Sequence, residues 1–248
     1  MEDPYTEIFL ALEKHANILN HLVIDLGYNY DDHNNYNIFG YRHDYSFLQY
    51  TLLKLHNLKT LTVLSPTFSD NNGFEERLKT VAYCDLETLE MDEMNIHLAT
   101  CIIKNSRYLR KFIIDKFCVN YDKSNANDES LNLIRTIYEN CYLVELLSIP
   151  IFPLSENHLI EFEKLLKKCQ NLRSLYFISM YLDENEGKEL EYGEYLSNVL
   201  IRSAPINLRE IGIPDEITFS LKILETFFEK WRGRPAISIH FISFLNYE

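Results

Sequence analysis

The sequence predicts an α/β fold in which a short strand and a helix alternate about eight times, stacked as a solenoid with a curved parallel sheet inside and helices outside. Three observations carry this expectation. An apolar phrase, Leu-x-x-Leu-x-Ile, recurs along the chain; stretches of helical spacing separate its copies; and the composition is 46% hydrophobic with only 7 glycines in 248 residues. Scarce glycine suits repeated elements joined without phosphate-cradling loops.

In chain order, residues 1 to 18 supply one helix, followed by the first copy of the phrase at Leu19, Leu22 and Ile24. The clearest copy is Leu58-Lys59-Thr60-Leu61-Thr62-Val63. Next come Leu86, Leu89, Met91 and Leu109, Phe112, Ile114. A degenerate copy begins at Leu143, two regular ones follow at Leu172, Leu175, Phe177 and Leu208, Ile211, Ile213, and a weak one closes the chain at Ala236, Ile239, Phe241. The spacing is irregular and averages about 31 residues. Within each copy the fourth and sixth side chains point to one face of a strand, and the third and fifth point to the other.

Helical spacing is clearest at Leu131, Ile134, Tyr138 and Cys141; at Leu159, Phe162, Leu165 and Cys169, after the candidate N-cap Ser155; and at Leu221, Leu224, Phe228 and Trp231, before Gly233. Lys167 and Lys168 sit in a last turn, where cations favour the helix dipole. Cys84 and Cys141 precede strands at points where a small buried side chain is wanted. No single repeat can bury its apolar face alone, so residues 1 to 248 read as one domain.

The copy from Leu143 has two registers. Either Leu146 and Ser148 face the core, or one extra residue puts Leu147 and Ile149 there, with a bulge before Pro150. Burial favours the second, because the first sinks a serine and exposes Leu147.

Three polar insertions interrupt the pattern, at 27–44, 120–130 and 183–194. The first carries Tyr28, Tyr30, Tyr36 and Tyr41, which read either as a binding lip or as a variable surface loop. It also gathers His33 and His43 beside Asp31, Asp32 and Asp44, a loose set of metal-ligand types without a rigid support. The third is acidic and reads either as a solvated face or as a site for a basic partner or cation.

The third and fifth positions form columns across the concave face. They are His21 and Val23, Thr60 and Thr62, Thr88 and Glu90, Lys111 and Ile113, Glu145 in the degenerate copy, Ser174 and Tyr176, and Glu210 and Gly212. Ile113 and Tyr176 flank an apolar residue, Leu147 or Leu146, which makes either a contact patch or a patch covered by a following loop. These columns are the candidate partner-binding residues. GxGxxG, GxxxxGK[ST], GxSxG and HExxH do not occur, so no catalytic residue, metal or cofactor is expected.

Lys plus Arg is 24 and Asp plus Glu is 37, a net charge of −13 with no basic run, which argues against nucleic acid or an anionic membrane as partner. Five cysteines without a CxxC pair, and no positively charged apolar leader, lead to the expectation of reduced thiols in the cytoplasm or nucleus.

The phrase, preceded by Cys-x-Leu (Cys84-Asp85-Leu86, Cys141-Tyr142-Leu143) or Asn-Leu (Asn57-Leu58, Asn171-Leu172, Asn207-Leu208), resembles the leucine-rich repeats of F-box proteins, most of all the expanded fungal F-box and leucine-rich-repeat families. The resemblance runs from about Glu7 to Phe244. It implies a non-enzymatic module that holds a protein on its concave sheet, like the substrate-receiving half of a ubiquitin ligase receptor. Residues 1 to 18 provide one helix rather than an F-box, so a ubiquitin ligase adaptor is implied as partner only with an F-box upstream. The other class of function is a decoy or inhibitor that sequesters a basic enzyme, as ribonuclease-inhibitor-like repeats do.

Overall fold

A computed structural model describes residues 6–25, 46–64, 73–91, 96–114, 126–152, 155–178, 189–215 and 217–242. Strands and helices alternate throughout: α1 (Thr6–Lys14), β1 (His21–Asp25), α2 (Ser46–Leu52), β2 (Thr60–Leu64), α3 (Phe74–Leu78), β3 (Thr88–Met91), α4 (Ile96–Ile103), β4 (Lys111–Ile114), α5 (Ala126–Asn140), β5 (Leu146–Pro150), α6 (Glu156–Lys168), β6 (Ser174–Ile178), α7 (Glu189–Ser203), β7 (Glu210–Pro214), α8 (Leu221–Trp231) and β8 (Ser238–Ile242). The eight strands form one parallel sheet in chain order, β1 to β8. This is the solenoid-like α/β arrangement expected from the phrase.

Register is set by a repeated backbone device. The carbonyl just before each of β1 to β6 accepts two amides from the next repeat: Asn20 from Lys59 and Thr60, Lys59 from Glu87 and Thr88, Glu87 from Arg110 and Lys111, Arg110 from Glu145 and Leu146, Glu145 from Arg173 and Ser174, and Arg173 from Arg209 and Glu210; before β7, Arg209 accepts the Ser238 amide. The fourth position of every strand therefore lies beside the fourth position of its neighbour, as in Leu61↔Leu89, Leu89↔Phe112 and Leu175↔Ile211. These side chains, with those at the sixth position, meet the helices in one continuous core. Full burial of a leucine or phenylalanine is worth about 1.5–3 kcal/mol, so the two rows form the spine of the fold.

β5 takes the second of its two registers: Leu147 and Ile149 are fully buried, and Leu147 lies between Phe112 and Leu175. No bulge is required. The first apolar position is Val144, fully buried, rather than the half-buried Leu143. The displaced copy came from matching Cys141-Tyr142-Leu143 to Cys84-Asp85-Leu86. Cys84 is exposed, and the buried slot it was assigned belongs to Tyr83, whose hydroxyl donates to the Leu52 carbonyl at 2.7 Å. The equivalent slots hold Ser106, Cys141 and Cys169, three residues before Leu109, Val144 and Leu172. There the Cys141 thiol lies 3.2 Å from the Ser106 carbonyl, and the Cys169 thiol is 4.0 Å from that of Cys141. Burial pushes both thiols up to about 12, so they tie repeats together as neutral donors.

Helix signals hold with adjustments. The Ser155 hydroxyl accepts the His158 amide at 3.3 Å and caps α6, and Gly233 follows α8 in the left-handed conformation, φ +84°. Ser220 caps α8 in the same way as Ser155 caps α6. On α8 the core-facing residues are Phe227 and Trp231, whereas Leu221 and Phe228 are exposed. α5 begins inside the stretch read as an insertion at 120–130, and α7 begins inside the acidic stretch 183–194. Asp128 and Glu129 in the first turn of α5 and a helix-favouring glutamate run in α7 explain both. The insertion 27–44, with its tyrosines and the His33/His43 group, and also Cys118, lie outside the described residues.

Candidate functional site

The face of the sheet turned away from the described helices carries the third and fifth positions of every strand. Strands about 4.8 Å apart and same-face residues about 6.6 Å apart along each strand make this a regular grid. The third-position row runs His21, Thr60, Thr88, Lys111, Leu146, Ser174, Glu210 and Ser238. The fifth-position row holds Val23, Thr62, Glu90 and Ile113 on one side, and Ser148, Tyr176, Gly212 and His240 on the other.

Every candidate residue but one lies on this grid. Glu145 stands one position before β5, at the repeat's second position, where its carboxylate meets Arg110 Nη1 at 2.6 Å. Its intended place is filled by Leu146. The misplacement follows from the Leu143 alignment. The expected apolar column is also altered: Leu147 is in the core, Leu146 shares a row with Lys111 and Ser174, and a buried serine, Ser148, neighbours Tyr176. Ser148 Oγ donates to the Ile114 carbonyl at 3.1 Å, linking β4 and β5 beyond their last paired residues, Phe112 and Leu147.

Along β1 to β4 the face is a loose polar lattice. His21 Nδ1 and Thr60 Oγ1 lie 3.1 Å apart, Thr62 donates to Glu90 at 3.4 Å, and Lys111 is exposed. From β6 to β8 it is knit more tightly. The Glu210 carboxylate accepts Ser174 Oγ at 2.8 Å, meets His240 Nε2 at 3.1 Å and takes the Tyr176 hydroxyl. The Tyr176 and Ser174 hydroxyls hold the Glu210 carboxyl below its ordinary range, while burial and Glu210 push the Tyr176 phenol up to about 12. Gly212 makes this possible: a Cβ there would stand 2.2 Å from Tyr176 Cδ1 and 2.9 Å from Ile242 Cδ1, so the ring occupies the space of the missing side chain.

His240 and Ser238 escaped the sequence reading, although the closing copy at Ala236 places them at the fifth and third positions. Chemically, this face offers two carboxylates, an ammonium, two imidazoles, several hydroxyls and half-buried apolar groups spread over eight strands. That mixture suits contact with an extended surface better than enclosure of a small molecule. Among the described residues no helix is long and apolar enough to cross a membrane. A scan against models of known protein families finds no match, and a search of curated proteins finds none.

Proposed function

We propose that the chain is a protein-recognition module of the leucine-rich-repeat type, non-enzymatic, which binds a protein partner on the face of its sheet turned away from the described helices and resembles the substrate-receiving half of an F-box ubiquitin ligase receptor. The observation that carries this reading is the grid itself: each repeat contributes two side chains to one surface, and Tyr176, Leu146 and Ile113 remain half-exposed among polar groups. Amphipathic and aromatic side chains of this sort supply binding energy at protein interfaces. Engagement of a ubiquitin ligase adaptor belongs to the same proposal only with an F-box upstream.

The test is capture of partners by the tagged chain, compared with Tyr176→Ala/Lys111→Glu on the open face and with Lys168→Glu on α6. The reading expects a partner retained by the α6 variant and lost by the open-face double variant; retention by both overturns the assignment. The net charge of −13 favours one second reading, a decoy that sequesters a basic enzyme. A decoy brings down a basic target without adaptor, in an interaction that weakens with salt.

A further inference from the structure

The two ends of the solenoid are unlike, and they complement each other. In the interior, each strand's apolar face is closed by the repeats on both sides. At the last strand this fails: Phe241, which occupies the sixth position, is 61% exposed, while its equivalents Ile149 and Phe177 are fully buried. Beneath it lies an apolar recess lined by Leu200, Ile211, Ile213, Phe219, Phe227 and Phe241. On α8, Leu221 and Phe228 are 72% and 52% exposed. Among the described residues β8 pairs with β7 alone.

The first repeat offers a matching surface, a helix with spare apolar side chains ahead of β1, which among the described residues pairs with β2 alone. Ile8 and Leu10 of α1 are each 54% exposed, and Ile18, just before β1, is 73% exposed. Charge separates the ends in the same sense. From Glu7 to Asp25, the acidic Glu7, Glu13 and Asp25 outnumber Lys14; from Leu221 to Ile242, the basic Lys222, Lys230, Arg232 and Arg234 outnumber Glu225 and Glu229. The closing repeat is thus net basic in a chain of net charge −13, and the opening repeat is net acidic.

We infer that the occupant of the β8 end is the β1 end of a second copy, so that chains associate head to tail and continue the parallel sheet. The register follows the internal rule. The Ile237 carbonyl accepts the Asn20 and His21 amides of the next copy, Ile239 lies beside Leu22 and Phe241 beside Ile24, and α1 of that copy covers Phe241 and α8. The basic end of one chain meets the acidic end of the next. Such a contact is heterologous: each copy leaves one free end of each kind, so the assembly grows beyond a dimer unless it closes as a ring. The inference concerns the ends and is independent of the partner proposed for the open face.

Sedimentation velocity on the full chain tests it, from about 1 µM to about 500 µM, a range that covers interfaces of modest affinity. The wild type is expected to pass through dimers to larger species as concentration rises. Phe228→Glu/Phe241→Glu blocks one end and Ile8→Glu/Leu10→Glu the other; these sites are exposed, so the fold should survive, as circular dichroism would show. Each variant alone should stay monomeric, and an equimolar mixture should form a capped pair and stop there. A wild type that is monomeric throughout the range overturns the inference. So does a variant that self-associates alone, which would mean pairing of like ends or a contact elsewhere.

Discussion

The interior repeats and the closing repeat are written in the same phrase but do not share its burial. Leu175 and Phe177 on β6 are fully buried, whereas Ile239 and Phe241 occupy the same positions on β8 and are half-buried and 61% exposed. The residues are equally apolar, so the difference lies in what stands beside them. β6 is flanked by β5 and β7, whereas among the described residues β8 pairs with β7 alone and no helix follows it, as α2 follows β1, whose Leu22 and Ile24 stay buried. Burial in a one-dimensional stack is conferred by the adjacent repeat as much as by the side chain itself.

The sharpest way to break this comparison is to truncate equivalent positions. Leu175→Ala should cost about 2 to 5 kcal/mol, since it opens a cavity between packed neighbours on both sides. Phe241→Ala, measured at a dilution that keeps the chain monomeric, should cost under about 1 kcal/mol despite removing a larger group. Urea unfolding of both variants checks it, and equal losses would mean that β8 is packed like β6. Thr62→Ala serves as the open-face control. It is buried by its strand neighbours yet makes only a 3.4 Å bond to Glu90, so its loss should stay within about 1 kcal/mol.

A smaller effect comes from the helical side of the interior. Glu163 on α6 is gripped by Arg202 from α7, with Lys167 and Ser203 adding further bonds, and its carboxyl is drawn down to about 2. A carboxyl depressed in the folded state contributes stability above its unfolded value, about 4.3, and loses that contribution as pH falls toward 2. Glu163→Gln should therefore lower stability by at most about 1 kcal/mol at neutral pH, because Arg202 and Lys167 are more than half exposed. Its urea midpoint should converge on the wild type's near pH 2. A gap that persists at that pH would point to packing rather than charge.

Much of this fold was legible in the phrase, because a period of two fixes which side chains face the helices; Leu61, Val63, Leu89 and Met91 are all fully buried. What misled was spacing in front of the phrase. Cys84 and Cys141 look alike in sequence, but the buried slot lies three residues before the first apolar position, which makes Tyr83 the partner of Cys141 and Val144 the counterpart of Leu86. Glu145 was drawn onto the open face by that one-residue shift. The α8 face was misjudged for a different reason: helical spacing marks Leu221 and Phe228 as apolar but does not say what packs against them, and among the described residues both are exposed. At the candidate site, the columns were visible but their coupling was not. Tyr176 and Glu210 join because Gly212 lacks a side chain, and a glycine in a column of outward residues carries no mark of what will lie across it.

Native-state hydrogen exchange, read strand by strand at low protein concentration, tests most directly whether neighbours confer burial. The amides of β5 and β6 should be the slowest, with protection close to that of global unfolding, and those of β8 should exchange by local opening well below it. Protection in β8 equal to that of β6 in the monomer would contradict the account.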